Sequence, residues 1–283
     1  MSVHQDLRVK RSFWLPAGLI LIGLLLGYLA FTFLIGMPRV AVFRIGYVEL
    51  SGESATDINK MLDYLREDNS IRAVVIQLNS PGGGVNASAD VFMNTIKLRE
   101  KKPVVFFVKG MAASGGYMWL MGGNWVVANQ VSVIGNVGAY MSIPPNITRP
   151  DDTVMPTGPF KLSGDPSRTY ITLLEEIKDI FVQTVYSQRG DRLKLRPEEL
   201  QEGRIYFGFE AARLGLVDEV GIEPDAIEKA ASLAGLRFYK TIDANAELKK
   251  GGYTFPYTEY KPYSSEPPKA EFPYIHYRFW EPR

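Results

Sequence analysis

Apolar and polar positions divide the chain into three zones. The first is a run without charge, 24 residues from Phe13 to Gly36. As a helix it would extend about 36 Å, enough to cross a bilayer with some tilt. Arg8, Lys10 and Arg11 precede it and Arg39 follows. The positive-inside bias then puts residues 1–12 in the cytoplasm, a single-pass anchor at 13–37, and everything after it outside the cytoplasm. A cleaved signal peptide has a shorter apolar core of about 7–15 residues and a small-x-small cleavage site. Leu34-Ile35-Gly36-Met37 is a poor match to such a site, so the anchor is read as retained.

In the second zone the period of the apolar residues alternates between that of strands and that of helices. Val40 to Leu50 reads as a strand, and Thr56 to Arg66 as a helix with Ile58, Met61, Leu62 and Leu65 on one face. Ala73 to Leu78 is a buried strand ended by Asn79-Ser80-Pro81-Gly82-Gly83-Gly84, with a helix from Ala87 to Glu100 after it. Val104 to Val108 is the next strand, and Met111 to Leu120 begins as a loop and becomes a helix. Trp125–Ala128 and Gly135–Ser142 read as strands, and 143–158, with four Pro, as a loop. Helices are expected at Tyr170–Arg189, Pro197–Gln201, Phe209–Leu214 and Pro224–Leu233. Strand and helix alternating at this spacing predict an α/β domain with a parallel sheet and crossover helices. Its expected bounds are 38–240.

The third zone, 241–283, is expected to be a Pro- and Tyr-rich tail. From Lys250 onward it holds six Tyr, three Phe, one Trp and six Pro, too many Pro for a regular helix or a paired strand.

Charge and composition narrow the chemistry. Thirty-two Lys and Arg nearly cancel 31 Asp and Glu, so nucleic acid is not the expected partner. The absence of Cys removes thiolate nucleophiles, disulfides and iron–sulfur clusters. His4 and His276, the two histidines, lie at the extremes of the chain. A Ser-His-Asp triad or a multi-His metal site is thereby disfavoured. Neither a metal nor a cofactor is expected, and a general base has to come from another residue type.

Two glycine-rich turns, Ser80-Pro81-Gly82-Gly83-Gly84 and Met111-Ala112-Ala113-Ser114-Gly115-Gly116-Tyr117, each follow a predicted buried strand. In a parallel sheet both fall at the carboxyl edge, where ligands bind. Taken alone, the first could be an ordinary loop and Ser114 a helix N-cap. Neither turn is a phosphate-binding loop.

Together, Ser80-Pro81-Gly82-Gly83 and Ala112-Ala113-Ser114-Gly115-Gly116-Tyr117 resemble the signal peptide peptidase A (protease IV) family of membrane-anchored serine proteases, which have the Clp protease/crotonase fold. The resemblance extends through Ala128-Asn129 with Gly135 and Gly138, through Gly158-Pro159-Phe160-Lys161 with Pro166-Ser167-Arg168, and through Arg204-Ile205-Tyr206 with Ala211, Ala212, Leu214 to Glu219 and Gly221. It implies a catalytic pair of Ser114 and Lys161, an oxyanion hole from the backbone N–H groups of Gly83 and Gly115, and hydrophobic peptide substrates such as signal-peptide remnants. It also implies a homo-oligomer in which neighbouring subunits supply the serine and the lysine. The base must be a neutral lysine with its pKa brought from about 10.4 to about 7–8, which desolvation can do. The sequence departs from the family pattern at Leu162, where an acidic residue is usual, at Asn136, where a serine is usual, and in the short, Pro-rich 143–157 segment. The Asn136 side-chain oxygen can accept a hydrogen bond from Lys161 and so orient it. Lys109 is a rival base. Two other readings of the chain are a catalytically inactive membrane scaffold of the same fold and an acyl-CoA hydratase-like enzyme.

Overall fold

The computed structural model describes residues 14–34, 36–142, 157 and 167–258. Helix α1, Trp14–Leu34, carries no charged residue over 21 residues, a backbone length of about 31 Å. Its described side chains run only from Pro16 to Tyr28. Among the described residues no helix is long and apolar enough to cross a membrane.

The domain is a sheet with helices on both faces. Strands β1 (Arg39–Arg44), β3 (Ile71–Ser80), β5 (Val104–Ala113) and β6 (Trp125–Ala128) form its centre, with β10 (Lys240–Asp243) and β9 (Glu219–Val220) at the sides, in the order β10-β1-β3-β5-β6-β9. All of these pairs are parallel. A short strand β7 (Val133–Gly135) pairs in parallel with the end of β5, and β8 (Ile205–Phe207) runs antiparallel to β7. The sheet is therefore mixed, and the expected all-parallel sheet is corrected at this one pair. A separate two-residue ladder joins β2 (Glu49–Leu50) to β4 (Gly82–Gly83).

Alternation along the strands sorts the core into two layers. Ala41, Phe43, Val74, Ile76, Leu78, Val104, Phe106 and Val108 face helices α2 (Gly52–Glu67), α3 (Val85–Arg99) and α4 (Gly115–Leu120). Val40, Val42, Ala73, Val75, Val105, Phe107 and Val127 face α8 (Glu223–Leu233), which presents Ala226, Ala230 and Ala231. Small alanines let that helix lie close on the strands. Strands buried on both faces explain why β3 and β5 read as near-continuous apolar runs. α2 begins at Ser51, whose hydroxyl accepts from the Ser54 amide while the Ser54 hydroxyl accepts from the Ser51 amide. Its expected face, Ile58, Met61, Leu62 and Leu65, is buried.

Helix α5 (Ser167–Arg189) buries only its carboxyl half, through Phe181, Val182 and Val185. Its last residue, Arg189, is fixed from below. Its guanidinium donates to both carboxylate oxygens of Asp218 at 2.9 Å and to the Gly215 carbonyl at 2.7 Å, with both side chains almost fully buried. The Val126 amide donates to the same carboxylate at 2.8 Å. The short helices α6 (Pro197–Leu200) and α7 (Gly208–Arg213) complete this side.

Four further expectations are revised. Val40–Leu50 is two strands, β1 and β2, separated by residues 45–48. Met111–Ala113 is strand rather than loop, because β7 supplies it with a ladder partner. Conversely, 136–142 carries no regular structure, since Asn136 has a left-handed backbone, φ +55°. The stretch from 241 begins as part of the domain. β10 pairs with β1, α9 (Ala244–Lys250) follows, and Asn245 exchanges hydrogen bonds with the Arg44 backbone. Phe255 is 1% exposed, its ring 4.8 Å from that of Phe43. Residues 259–283 lie outside the described residues.

Candidate active site

The two glycine-rich turns meet. β3 and β5 are adjacent and parallel, so the turns leave the sheet side by side. Asn79 strengthens the junction, because its side-chain oxygen accepts from the Met111 amide at 3.1 Å. A Cβ placed on Gly82 would stand 2.8 Å from the Ser114 Cβ and 2.8 Å from the Gly115 nitrogen. Only a residue without a side chain permits that approach.

Ser114 occupies the N-cap position of α4, yet its hydroxyl makes no capping bond, and among the described residues it has no hydrogen-bond partner. Its backbone is left-handed, φ +50° and ψ −126°, a conformation costing on the order of 1–3 kcal/mol for a residue with a Cβ. Its amide is used instead, donating to the Gly135 carbonyl at 2.9 Å. The side chain is partly exposed while Ala113, Gly115 and Gly116 on either side are buried. The turn thus aims one hydroxyl out of an otherwise closed junction.

Two backbone amides lie at the same junction. Gly84 donates its N–H to the Leu50 carbonyl at 2.7 Å. Successive amides of an extended segment alternate in direction, so the Gly83 N–H points away from the β2 ladder. The Gly83 nitrogen lies 3.4 Å from where a Cβ on Gly115 would be. Gly115 opens α4, and an amide of the first turn has no intrahelical acceptor. Gly83 and Gly115 therefore place two backbone donors at the junction of the two turns.

Asn136 directly follows β7, the strand that supports Ser114. Its amide donates to the Arg204 carbonyl at 2.8 Å, and its side-chain Nδ2 donates to the Gly203 carbonyl at 2.8 Å. Those bonds leave Oδ1 as the acceptor end of the side chain. Lys161 lies outside the described residues, as do Phe160 and Leu162. Lys109 is exposed on β5. No group of His, Cys, Asp and Glu side chains suited to a metal occurs among the described residues.

Three supporting residues have no role of their own in the sequence motifs. Ser80 is fully buried and its hydroxyl accepts from the Gly82 amide at 3.2 Å. Ser88 is buried, donates to the Gly84 carbonyl at 2.9 Å, and packs so tightly on Gly115 that a Cβ there would meet its hydroxyl at 2.0 Å. Arg204 contributes only its backbone carbonyl. Ser80 opens the first turn, which was a usable signal. Ser88 is one turn into α3 and carries none.

Comparison with known proteins agrees with this geometry. Residues 42–130 match the Clp protease family and residues 161–237 match peptidase family S49. A putative protease of Methanocaldococcus jannaschii is 31% identical over 217 residues, covering 70% of this chain and 67% of that one. A putative protease of Synechocystis is 32% identical over 210 residues, covering 68% of this chain and 75% of that one. Protease 4 of Haemophilus influenzae is 30% identical over 219 residues, which are 70% of this chain but 35% of that protein. These relatives do not favour the inactive-scaffold or hydratase-like readings. With a Clp protease-like α/β domain and relatives matched over most of its length, the chain belongs to peptidase family S49, the signal peptide peptidase A (protease IV) family of serine peptidases.

Proposed function

We propose that the chain is a membrane-anchored Ser–Lys endopeptidase acting on signal-peptide remnants or other hydrophobic peptides near the membrane. The observation that carries this reading is Ser114 itself. It stands in a left-handed N-cap position, its hydroxyl is not spent on the helix, and the Gly83 and Gly115 amides lie beside it. In the proposed reaction neutral Lys161 takes the Ser114 proton as Oγ attacks the scissile carbonyl, and the Gly83 and Gly115 amides hold the oxyanion. Lys161 then returns the proton to the leaving amine. Water, deprotonated by the same amine, releases the acyl group. Asn136 Oδ1 orients the lysine.

The uncharged length of α1 and the Arg8, Lys10 and Arg11 cluster before it support a retained anchor with the catalytic domain outside the cytoplasm. Assembly into a homo-oligomer is supported by apolar side chains left open around the site. Phe207 and Phe209 are each 53% exposed with stacked rings, and Ile171 and Leu173 are exposed on the amino half of α5. A subunit contact there would desolvate a lysine supplied by either protomer.

The test is labelling by a fluorophosphonate, together with hydrolysis of an apolar peptide. Wild type is expected to react, while Ser114→Ala and Lys161→Ala each stay folded and inactive. Mixing the two inactive chains under subunit exchange is expected to restore part of the activity. Undiminished turnover in Lys161→Ala would move the base elsewhere, to be sought first at Lys109.

A further inference from the structure

We propose that the edge of the sheet opposite Ser114 docks on anionic phospholipid headgroups and holds the domain upright on the bilayer with the catalytic edge turned away. The inference rests on the reading of α1 as an anchor and adds a second, charge-based contact to it.

Topology gathers the surface. β1, β3, β5 and β10 are parallel, so all begin at one edge. Arg39 lies opposite both Lys240 and Ile71, and the Pro103 carbonyl accepts from the Val74 amide. This edge carries Arg39, Arg72, Lys101, Arg237 and Lys240, and none of these five has an ion pair among the described residues. The acidic groups nearby are mostly engaged. Asp63 pairs with Arg66 at 2.6 Å, Glu247 pairs with Lys250 at 2.7 Å, and the Asp68 carboxylate accepts from the Ser70 hydroxyl and amide. Glu67, Glu100 and Glu228, the last sharing a cavity lining with Arg237, are the exposed acids that remain. Lys102 is a different case, a buried ammonium spent on the Leu65 and Asp68 carbonyls at 2.6 Å.

The shape fits the charge. A cleft of about 630 Å³ opens between Arg66, Glu67, Arg72, Lys101 and Lys102, with Pro103 in its lining. Beside it, two smaller cavities of about 300 and 350 Å³ share Met37, one lined by Arg39 and Lys240 and the other by Arg237 and Phe238. None of these cavities is lined by Ser114 or either glycine-rich turn. Phe238 is 71% exposed and Met37 49% exposed, so large apolar side chains stand among unpaired cations. That combination suits the boundary between headgroups and acyl chains.

Continuity with α1 brings the surface to the membrane. Five peptide steps separate Leu34, the end of α1, from Arg39, a reach of at most about 18 Å. With α1 in the bilayer, the basic edge lies at headgroup depth, where each Lys or Arg adds attraction to an anionic leaflet. The ten residues of β3 then span the distance to the catalytic turns, about 33 Å.

The experiment uses the full chain, which has no native Cys, reconstituted in bilayers of phosphatidylcholine alone or enriched in phosphatidylglycerol. A spin label is placed at Asn69→Cys, beside the cleft, or at Tyr140→Cys, beyond β7, and its exposure to a nickel chelate carried on a lipid headgroup is read. The expected result is strong relaxation at residue 69 and weak relaxation at 140 in the anionic bilayer. The contrast should fall in pure phosphatidylcholine and in the Arg72→Glu/Lys101→Glu/Arg237→Glu/Lys240→Glu variant. Equal relaxation at 69 in both lipids, or no change on charge reversal, overturns the proposal. Extraction by alkaline carbonate checks the anchor separately. If the chain is stripped, the anchor reading fails, and flotation with phosphatidylglycerol vesicles becomes the readout. Flotation lost in high salt and on charge reversal supports the basic edge, and flotation indifferent to both overturns it.

Discussion

Adjacent glycines in the first turn should respond very differently to the same methyl group. Gly83 has φ +150°, and a Cβ there would meet the Leu50 carbonyl oxygen at 2.1 Å, its nitrogen at 2.6 Å and its carbonyl carbon at 2.7 Å. All three are backbone atoms of the β2–β4 ladder, so no rotamer change relieves them. Restoring ordinary contact, from 2.1 Å to 3.4 Å, opens the ladder by 1.3 Å. The overpacking costs about 1–3 kcal/mol of stability. More consequentially, it carries the Gly83 amide off its aim, and loss of one oxyanion donor costs about 10²–10³ in kcat. Gly84 is the control, with an ordinary φ of −61° and its nearest contact, the Leu50 carbonyl oxygen, at 3.7 Å. Gly84→Ala is expected to stay within about twofold of wild type in kcat/KM and within about 0.5 kcal/mol in stability. The assay is kcat/KM on an apolar fluorogenic peptide, paired with urea unfolding of the same detergent-solubilised full-length preparations. A folded Gly83→Ala with kcat within fivefold of wild type would refute the assignment of its amide as an oxyanion donor. Equal losses in both variants would refute the steric reasoning.

Three further outcomes follow from the geometry. Ser114→Gly is expected to abolish hydrolysis while raising stability by about 1 kcal/mol or more, because it relieves the left-handed backbone at φ +50°; unfolding that begins at lower urea than in wild type would contradict this. Asp218→Ala leaves the Arg189 guanidinium buried without its counter-charge, and urea unfolding should show a loss of about 3–5 kcal/mol; a loss under 1 kcal/mol would mean that the pair is not an essential fastening of α5. Burial pushes the Asp68 carboxyl up, but hydrogen bonds from Ser70, with Arg39 and Lys102 nearby, bring it below its ordinary 3.8. Its contribution is therefore complete above that value and lost as the pH falls through the lower folded pKa, so Ser70→Ala should reduce the acid dependence of unfolding below pH 3.8 and leave the dependence near neutrality unchanged.

The parts of the site legible in the sequence were those made by neighbouring strands. Each glycine-rich turn ends an apolar run, and parallel pairing of β3 with β5 brings Gly82 against Ser114 without further information. What could not be read was support from far along the chain. Gly203 and Arg204 hold Asn136, and Phe207 pairs with Val133, through backbone atoms that leave no mark in a hydrophobic pattern. For the same reason residues 136–142 read as a strand, although Asn136 turns the chain aside. The Tyr- and Pro-rich composition after residue 250 suggested a surface tail, but Phe255 fills a space beside Phe43, with Tyr253 and Tyr257 half-buried against the same core. A single buried ring has no periodicity to announce it. Conversely, α2, α8 and the strand Trp125–Ala128 were legible because each buries one regular face or a continuous run.

The long-range bond from Ser114 to Gly135, itself held by Arg204, sets the order in which the enzyme matures. Arg204 leaves the ribosome ninety residues after Ser114. At synthesis rates of about 5–20 residues per second, the nucleophile waits on the order of 5 to 18 s for its support. During that interval α1 and the first strands are already made, while the turn bearing Ser114 lacks the β7–β8 pair that fixes it. A nascent chain therefore carries its serine before the turn that holds it is complete.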